Sequence, residues 1–350
     1  MSQTIQKADI RKFSLEDLKT LMLEQKQPAF RAKQIYEWLW KKSAVRFDQM
    51  TNLSKDLREF LNEHFTINAI SLDKFQKSND GTIKSRFQLH DAHMIESVLI
   101  PVPYDKRFTV CVSSQVGCSL TCKFCATGQM KRMRNLDPGE IYDQVVRVNQ
   151  QSMETFGHPL TNIVYMGMGE PLLAYKSVMD SVALITGDHG LNMSPKRITI
   201  STAGIAKMIT KLADDGVKFN LALSLHAADD VKRNEIMPIN ETNTLDVLMD
   251  SIEYFYQKTR NRISYEYIAF KNFNDSIEDA KNLAKLCKRF PVKVNIIEYN
   301  PIEGVEFVKS KEDAVDEFAS YLRNQDIMVT IRRSRGKDID AACGQLANKD

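Results

Sequence analysis

Six times between residues 108 and 324 a short run rich in β-branched residues gives way to a stretch with helical periodicity, and no other feature constrains the fold as tightly. The strand-like runs are 108–113 (FTVCVS), 162–166 (NIVYM), 197–201 (RITIS), 218–225 (KFNLALSL), 263–270 (ISYEYIAF) and 292–299 (VKVNIIEY). Helix-like stretches follow at 139–156, 176–186, 204–214, 244–257, 276–289 and 311–324. Tight turns cannot join parallel neighbours, so this alternation calls for a parallel sheet with crossover helices. A seventh run, 327–333 (IMVTIRR), leads toward the C-terminus. Six units fall short of a closed eight-unit barrel, which leaves a partial barrel and a doubly wound sheet. Both collect ligands at the carboxyl ends of their strands, so the residues standing there bear on function.

The first 75 residues read as helical, with no strand. Ser14-Leu-Glu-Asp17 is an N-cap with an acid three residues on, followed by an apolar face of Leu15, Leu18, Leu21 and Met22. Further helices are expected at 30–42 (FRAKQIYEWLWKK) and 54–65 (SKDLREFLNEHF). The middle helix mixes Arg31, Lys33, Lys41 and Lys42 with Tyr36, Trp38 and Trp40. Burial statistics assign the aromatics to a core and leave the lysines as RNA contacts. A hairpin is expected over 82–100 (TIKSRFQLH, then MIESVLI). The chain thus divides into a helical accessory domain (1–75), a connecting hairpin (76–104), an α/β barrel-like unit (105–305) and a C-terminal helix, strand and tail (306–350).

Composition excludes little. At 350 residues and 43% hydrophobic content the chain can build a large core, and a net charge of +3 does not by itself argue for nucleic acid. No apolar run approaches the ~18–20 residues that span a bilayer, and the start of the chain, with Lys7, Asp9, Arg11 and Lys12, lacks a signal-peptide core. A cytoplasmic protein with no membrane partner is expected.

Six cysteines stand at 111, 118, 122, 125, 287 and 343, four of them within fifteen residues. In a reducing compartment such crowding favours metal ligation or catalysis over disulfides. Cys118-Ser-Leu-Thr-Cys122-Lys-Phe-Cys125 follows the first strand of the alternation. A structural zinc normally closes four positions with a second pair of ligands, and no such pair is present. An iron-sulfur cluster given three cysteines keeps one iron open. The competing reading is a non-catalytic zinc protein that binds RNA, with Cys111 as fourth ligand. At the later strand ends stand Met166-Gly167-Met168-Gly169-Glu170-Pro171, then Ser201, then Ser224-Leu225-His226, then Asn300. The glycines would let backbone approach a ligand, and Glu170 could accept from an ammonium group. On residue type alone, His226 is a structural histidine, Cys111 a buried strand thiol and Glu96 a solvent-facing strand residue. Ala280, Leu283, Ala284 and Cys287 make one helix face, so Cys287 reads as core.

The C-x3-C-x2-C spacing, with an aromatic Phe124 before the third cysteine, resembles the radical S-adenosylmethionine (SAM) superfamily. The segments FRAKQI, MTNLSKDLR, IESVLIP, VCVSSQVGCSLTCKFCATG, GMGEP, ISTAG, SLHA, MPIN and DIDAACGQL resemble one branch of it, the RlmN family of adenine carbon-2 RNA methyltransferases, close relatives of Cfr. The resemblance implies a partial (β/α)6 radical SAM barrel with a 4Fe-4S cluster on Cys118, Cys122 and Cys125. It implies SAM binding by Gly169, Glu170, Ser201, Ser224, Leu225, His226 and Asn300, with two SAM consumed per turnover. Cys343 would accept a methyl group, and a radical from the second SAM would remove a hydrogen from it. The resulting methylene would add to the adenine, Glu96 would take the ring proton, and Cys111 would free the product by forming a transient disulfide with Cys343. The chemistry is consistent: a ring carbon between two nitrogens has no nucleophilic lone pair, while a thiol can both take a methyl and leave in a disulfide. Implied partners are 23S rRNA at the peptidyl transferase centre, the tRNA anticodon loop and an electron donor such as flavodoxin, with the enzyme a monomer. Cfr-type carbon-8 methylation of rRNA, giving antibiotic resistance, is the neighbouring alternative. Lys131, Arg132 and Arg134, with Arg332, Arg333, Arg335 and Lys337, would join the helices in holding RNA. Gly344 and the absence of a helix signal predict a mobile tail, disordered at rest.

Overall fold

A computed structural model describes residues 7–349, so Met1–Gln6 of the expected accessory domain and Asp350 of the tail lie outside the described residues. A two-residue strand β1 (Ala8–Asp9) precedes helices α1 (Leu15–Glu24), α2 (Phe30–Trp40) and α3 (Lys55–His64), and β1 pairs in parallel with β2 (Phe65–Thr66). Ser14 and Asp17 form the expected capping box at the start of α1. The β1–β2 bridge, absent from the sequence reading, closes the ends of the helical segment on each other. Its apolar faces meet in a core of Leu18, Met22, Ile35, Leu39, Leu57 and Leu61. Trp40 is buried and its ring stands edge-on to Tyr142 at 5.4 Å, so this aromatic belongs to the core, while Lys33, Lys41 and Lys42 are exposed.

The chain then crosses β3 (Ser71–Lys77), β4 (Ile83–Gln88), β5 (Met94–Val102) and β6 (Arg107–Cys111), all antiparallel neighbours. The expected hairpin therefore has a third strand. A bulge between Leu72 and Lys74 breaks the two-residue alternation of β3, which hides it from a periodicity reading. After β6 the short strands β7 (Gln115–Val116) and β8 (Arg134–Asn135) pair with each other and clasp the base of the cysteine loop.

The alternation then runs as expected: α4 (Pro138–Phe156), β9 (Asn162–Tyr165), α5 (Tyr175–Thr186), β10 (Ile198–Thr202), α6 (Ala206–Asp214), β11 (Asn220–Ser224), α7 (Asp230–Ile236), α8 (Leu245–Thr259), β12 (Ile263–Ala269), α9 (Ile277–Cys287), β13 (Lys293–Glu298), α10 (Glu312–Arg323) and β14 (Met328–Arg332). Only α7 was not anticipated. The ten strands form one sheet in the order β14-β13-β12-β11-β10-β9-β6-β5-β4-β3, in which β6 and β9 to β14 are parallel. The sheet is open, as a partial barrel requires, and its parallel strands carry fully buried Val110, Ile163, Ile200, Leu223, Tyr265 and Val294. No helix among the described residues is long and apolar enough to cross a membrane.

Candidate active site

The cysteine loop leaves β6 at the carboxyl end of the sheet. Gly117, at φ 73°, opens it: a Cβ there would lie 2.2 Å from the Lys131 carbonyl, so the two limbs of the loop touch only because the side chain is absent. Turn bonds from Cys125 N to Cys122 O (3.2 Å) and from Gly128 N to Cys125 O (2.9 Å) coil the loop, and Lys123 N ties it to Ile236 O of α7 (3.0 Å). Cys118, Cys122 and Cys125 line one cavity of about 150 Å3. Burial pushes the Cys118 thiol up to about 11 and raises Cys122 and Cys125 as well, and nearby thiols and Glu170 add to the rise at Cys122. Among the described residues no Cys, His, Asp or Glu side chains converge closely enough to wrap a single ion. Three half-buried thiols around a shared space suit a polynuclear centre whose cationic metal would hold them as thiolates, and Cys111 is not among the residues lining that space.

The strand ends supply the rest of the cavity. Gly167 and Gly169 line it, but their lack of side chains serves packing first. A Cβ at Gly167 would meet Val112 O at 2.7 Å, and one at Gly169 would meet Gln115 Cβ at 2.5 Å. Glu170 is buried, and its carboxylate accepts from Leu172 N (3.0 Å) and Ala203 N (2.8 Å); burial raises its pKa and these bonds lower it. A carboxylate has about four acceptor sites, so capacity remains for an ammonium group. Ser201 Oγ and Ser224 Oγ stand 3.3 Å apart on adjacent strands. His226 lies at φ 57°, with Nδ1 accepting from Ile268 N at 3.1 Å. Burial and the Arg233 charge lower its pKa to about 3, so the ring is neutral with its proton on Nε2. The sequence set is not gathered in full. Leu225 packs in the main core, and Asn300 sits behind the tail, donating to Glu298 O (3.2 Å) and Cys343 O (3.5 Å).

Two buried charges went unread in the sequence. Arg233, fully buried on α7, donates to the carbonyls of Ala203 (2.6 Å), Leu225 (3.1 Å) and Ser224 (3.3 Å), crossing the ends of β10 and β11. Glu266 on β12 lines the cavity and accepts from Ser264 and Asn295, each at 2.8 Å. An acid inside a strand otherwise buried on both faces was the available signal.

The tail is folded, not disordered. Ala126 N donates to Gly344 O at 2.7 Å and Thr127 Oγ1 to Leu346 O at 2.6 Å, so the tail lies against the cysteine loop. Cys343 is exposed as a residue while lining the cavity; burial of the sulfur raises its thiol pKa, with Arg332 opposing and Glu266 and Cys125 adding to the rise. Buried Cys111 is pushed up to about 12 by burial and then by the proximity of Cys343. All six cysteines are free thiols, and Cys287 is buried on its helix face as expected. Glu96 is 1% exposed, against its reading as a solvent-facing residue, because Lys84 and the tail cover it. Lys131 and Arg132 are exposed, whereas Arg134 is committed to Asp91 (2.6 Å) and to a bidentate pair with Glu140 (2.7 and 2.8 Å). Arg332, Arg333 and Lys337 pair with Glu266, Glu312 and Glu298, and Arg335 donates to Asp80 O.

Comparison with known proteins bears on the family and the fold. Residues 8–67 match the family described as "Ribosomal RNA large subunit methyltransferase N-terminal domain", and residues 112–287 match the "Radical SAM superfamily". A protein of Cytophaga hutchinsonii named "Probable dual-specificity RNA methyltransferase RlmN" is 56% identical over 100% of this chain and 95% of its own. A "Dual-specificity RNA methyltransferase RlmN" of Campylobacter concisus is 41% identical over 96% of this chain and 90% of its own. The crystal structure of a radical SAM methyltransferase from Sphaerobacter thermophilus superposes with a TM-score of 0.91 at 37% identity, covering 98% of this chain and all of that one.

Proposed function

Since the chain belongs to the RlmN family of radical SAM RNA methyltransferases, we propose that it methylates carbon 2 of adenosine in 23S rRNA at the peptidyl transferase centre and in the tRNA anticodon loop, within the cytoplasm. The observation that carries the reading is the docking of a thiol-bearing tail between the three-cysteine loop and Cys111. A carbon-2 substitution needs a carrier for the methyl group, and the reading of Cys343 as that carrier is supported by its sharing a cavity with the three cysteines and lying near Cys111.

Cys118, Cys122 and Cys125 are the residues to hold a 4Fe-4S cluster, which when bound supplies the electron that cleaves SAM. Gly169, Glu170, Ser201, Ser224, Leu225, His226 and Asn300 are assigned to SAM, of which two are used per turnover. In that set Leu225 and Asn300 act from behind the cavity wall, and neutral His226 offers an Nε2–H donor. Cys343 takes a methyl from the first SAM, and the adenosyl fragment of the second would carry off one hydrogen atom from that methyl. Cys343 presents the remaining methylene to carbon 2, where a carbon–carbon bond forms and the one surplus electron would leave to the cluster. Glu96 takes the proton displaced from the ring. Cys111 then attacks the Cys343 sulfur: the carbon–sulfur bond breaks, its electron pair stays with the carbon, which gains a proton, and a Cys111–Cys343 disulfide forms. Thiol reductant resets the pair, and an electron donor such as flavodoxin feeds the cluster of a monomeric enzyme. Helices of residues 1–75, Lys131 and Arg132 are the RNA contacts, joined to the barrel of 105–305 by 76–104, while 306–350 delivers Cys343.

Mass spectrometry of nucleosides from RNA treated with the reconstituted enzyme tests the reading. We expect 2-methyladenosine, and 8-methyladenosine in its place would overturn the assignment of the carbon. In Cys111→Ala we expect protein joined covalently to RNA through Cys343.

A further inference from the structure

Glu96 has an occupation besides the one its sequence neighbourhood suggests. Its Oε2 accepts two backbone N–H groups of the tail, Ala347 at 2.9 Å and Asn348 at 3.1 Å, while its Oε1 lies 3.7 Å from Lys84 Nζ. That ammonium reaches onward to Asp340 O at 3.5 Å. Both side chains are deeply buried, 1% and 7% exposed, on the neighbouring strands β5 and β4. Arg86, directly opposite Glu96 in the register, donates to Asn348 O (3.3 Å) and Lys349 O (3.4 Å). The sheet extension thus holds the tail on both sides of Cys343, at 340 and again at 347–349. Between the two holds lie only Ala341 to Leu346, whose thiol-bearing middle rests on the cysteine loop.

We propose that Lys84 and Glu96 form a latch that closes on both limbs of this loop and sets where the Cys343 sulfur stands, Lys84 acting purely as a positioning residue. The inference rests on the reading that Cys343 is the methyl carrier. A buried ammonium is costly unless it is paired; here Glu96 on the neighbouring strand is one partner and the Asp340 carbonyl of the tail is the other, so docking of the tail completes the pairing. A carboxylate oxygen that accepts two amides holds the chain by charge-assisted bonds to backbone, and such a hold does not depend on which side chains residues 347 and 348 carry. With Oε2 taken by two tail amides, Oε1 facing the Lys84 ammonium and the side chain covered, Glu96 meets no substrate while the tail is docked. It therefore serves the tail first and becomes available as a base when the latch is open.

The test uses the reconstituted full-length enzyme with Lys84→Met, Lys84→Arg and Glu96→Gln. Hydrogen exchange is read on peptides covering 339–349, and alkylation of Cys343 by a neutral thiol reagent is read by peptide mass spectrometry. We expect Lys84→Met and Glu96→Gln to speed tail exchange by about tenfold, the factor for one charge-assisted bond reduced to a neutral one. Cys343 alkylation should rise with it, and Lys84→Arg should restore both. Tail exchange unchanged in both variants overturns the latch, as does a uniform rise across β3, β4 and β5, which marks a merely structural role. Should Glu96→Gln fail to fold, Lys84→Met decides. Nucleosides are analysed in parallel: if the native enzyme forms no 2-methyladenosine while the tail still responds to Lys84→Met, the carbon-2 reading falls and the latch stands.

Discussion

The two ends of the chain both pack onto the barrel, and they do so by different physics. The N-terminal segment is mainly apolar where it joins the rest: its buried Ile10, Met22, Ile35, Leu39, Trp40, Phe47 and Met50 are continuous with the main core, Trp40 stacks edge-on against Tyr142 of α4, and one buried charge pair, Arg11 with Asp143 at 2.8 Å, crosses the same seam. The C-terminal tail buries only Ala341, Ala342 and Leu346 as apolar anchors. It is held instead by hydrogen bonds, in which Gly336 N donates to Asp80, Ser78 Oγ and Asn79 N donate to Asp338, and Ala347 N and Asn348 N donate to Glu96. Burial of apolar area is lost only by exposing it to water, whereas a hydrogen bond given up in the protein is largely replaced by one to water. One end is therefore fixed and the other is exchangeable, which suits the roles proposed for them, an RNA-contacting scaffold and a methyl carrier.

The largest effect should come from the apolar end. Trp40→Ala removes a buried ring at the seam between α2 and α4 and should destabilise the helical segment by about 3–5 kcal/mol, read as a lower denaturation midpoint. Below that midpoint, exchange of the tail amides should stay as in the native protein. A tail that loosens in step with the mutated segment would break the contrast.

Acid should act on the opposite end. Burial alone would raise Glu298, but Lys309, Lys337 and Ser334 N bring it down to about 2, and Lys337 and Ser334 belong to the root of the tail. Asp338 is lowered by Ser78 and the Asn79 amide, and Asp80 is lowered by Thr82 and Gly336 N against the opposing effect of burial. Each folded pKa lies below the unfolded value of about 4, so each carboxylate adds stability that is complete above that pH and fades as pH falls toward 2. Cleavage by an acid protease should therefore reach residues 334–349 before the segment of α1 to α3 as pH is lowered through that window. Simultaneous cleavage at both ends would show that the carboxylates do not set the hold on the tail.

What the sequence disclosed follows the same division. The parallel strands came out within two residues of their expected places because strands buried on both faces are continuous apolar runs. The cysteine triad was legible because its chemistry sits in local spacing. Helix α7 was not, since its buried residues are Ile236 and an arginine, and a helix that buries Arg233 shows no apolar stripe. The docked tail was invisible for a deeper reason. Its contacts run from Glu96, Thr127 and Asp80 to backbone amides and carbonyls, which every residue has and no side-chain pattern announces. The burial of Glu96 beside Lys84 depends on that docking, so it was lost with it.

The smallest effect tests the contrast most finely. Ser78 Oγ donates to Asp338 Oδ1 at 2.5 Å and also accepts from Asp80 N at 3.3 Å, at the turn that grips the tail root. Ser78→Ala deletes one hydroxyl and leaves Asn79 N bound to Asp338 at 3.1 Å, so the hold weakens without being lost. A single hydrogen bond of this kind contributes about 1 kcal/mol, which corresponds to a roughly fivefold rise in opening of the tail root. The global midpoint should scarcely move, because the lost bond joins two turns that lie outside the barrel core. Hydrogen exchange on a peptide spanning 334–340 would register the change, and alkylation of Cys343 would show whether the root transmits it. If the root exchanges fivefold faster while Cys343 reacts at its native rate, the thiol's position is set without the root, by the latch and the cysteine loop. If both rise together, the two grips act as one cooperative unit, and the exchangeable end of the molecule extends from Ser334 to Lys349.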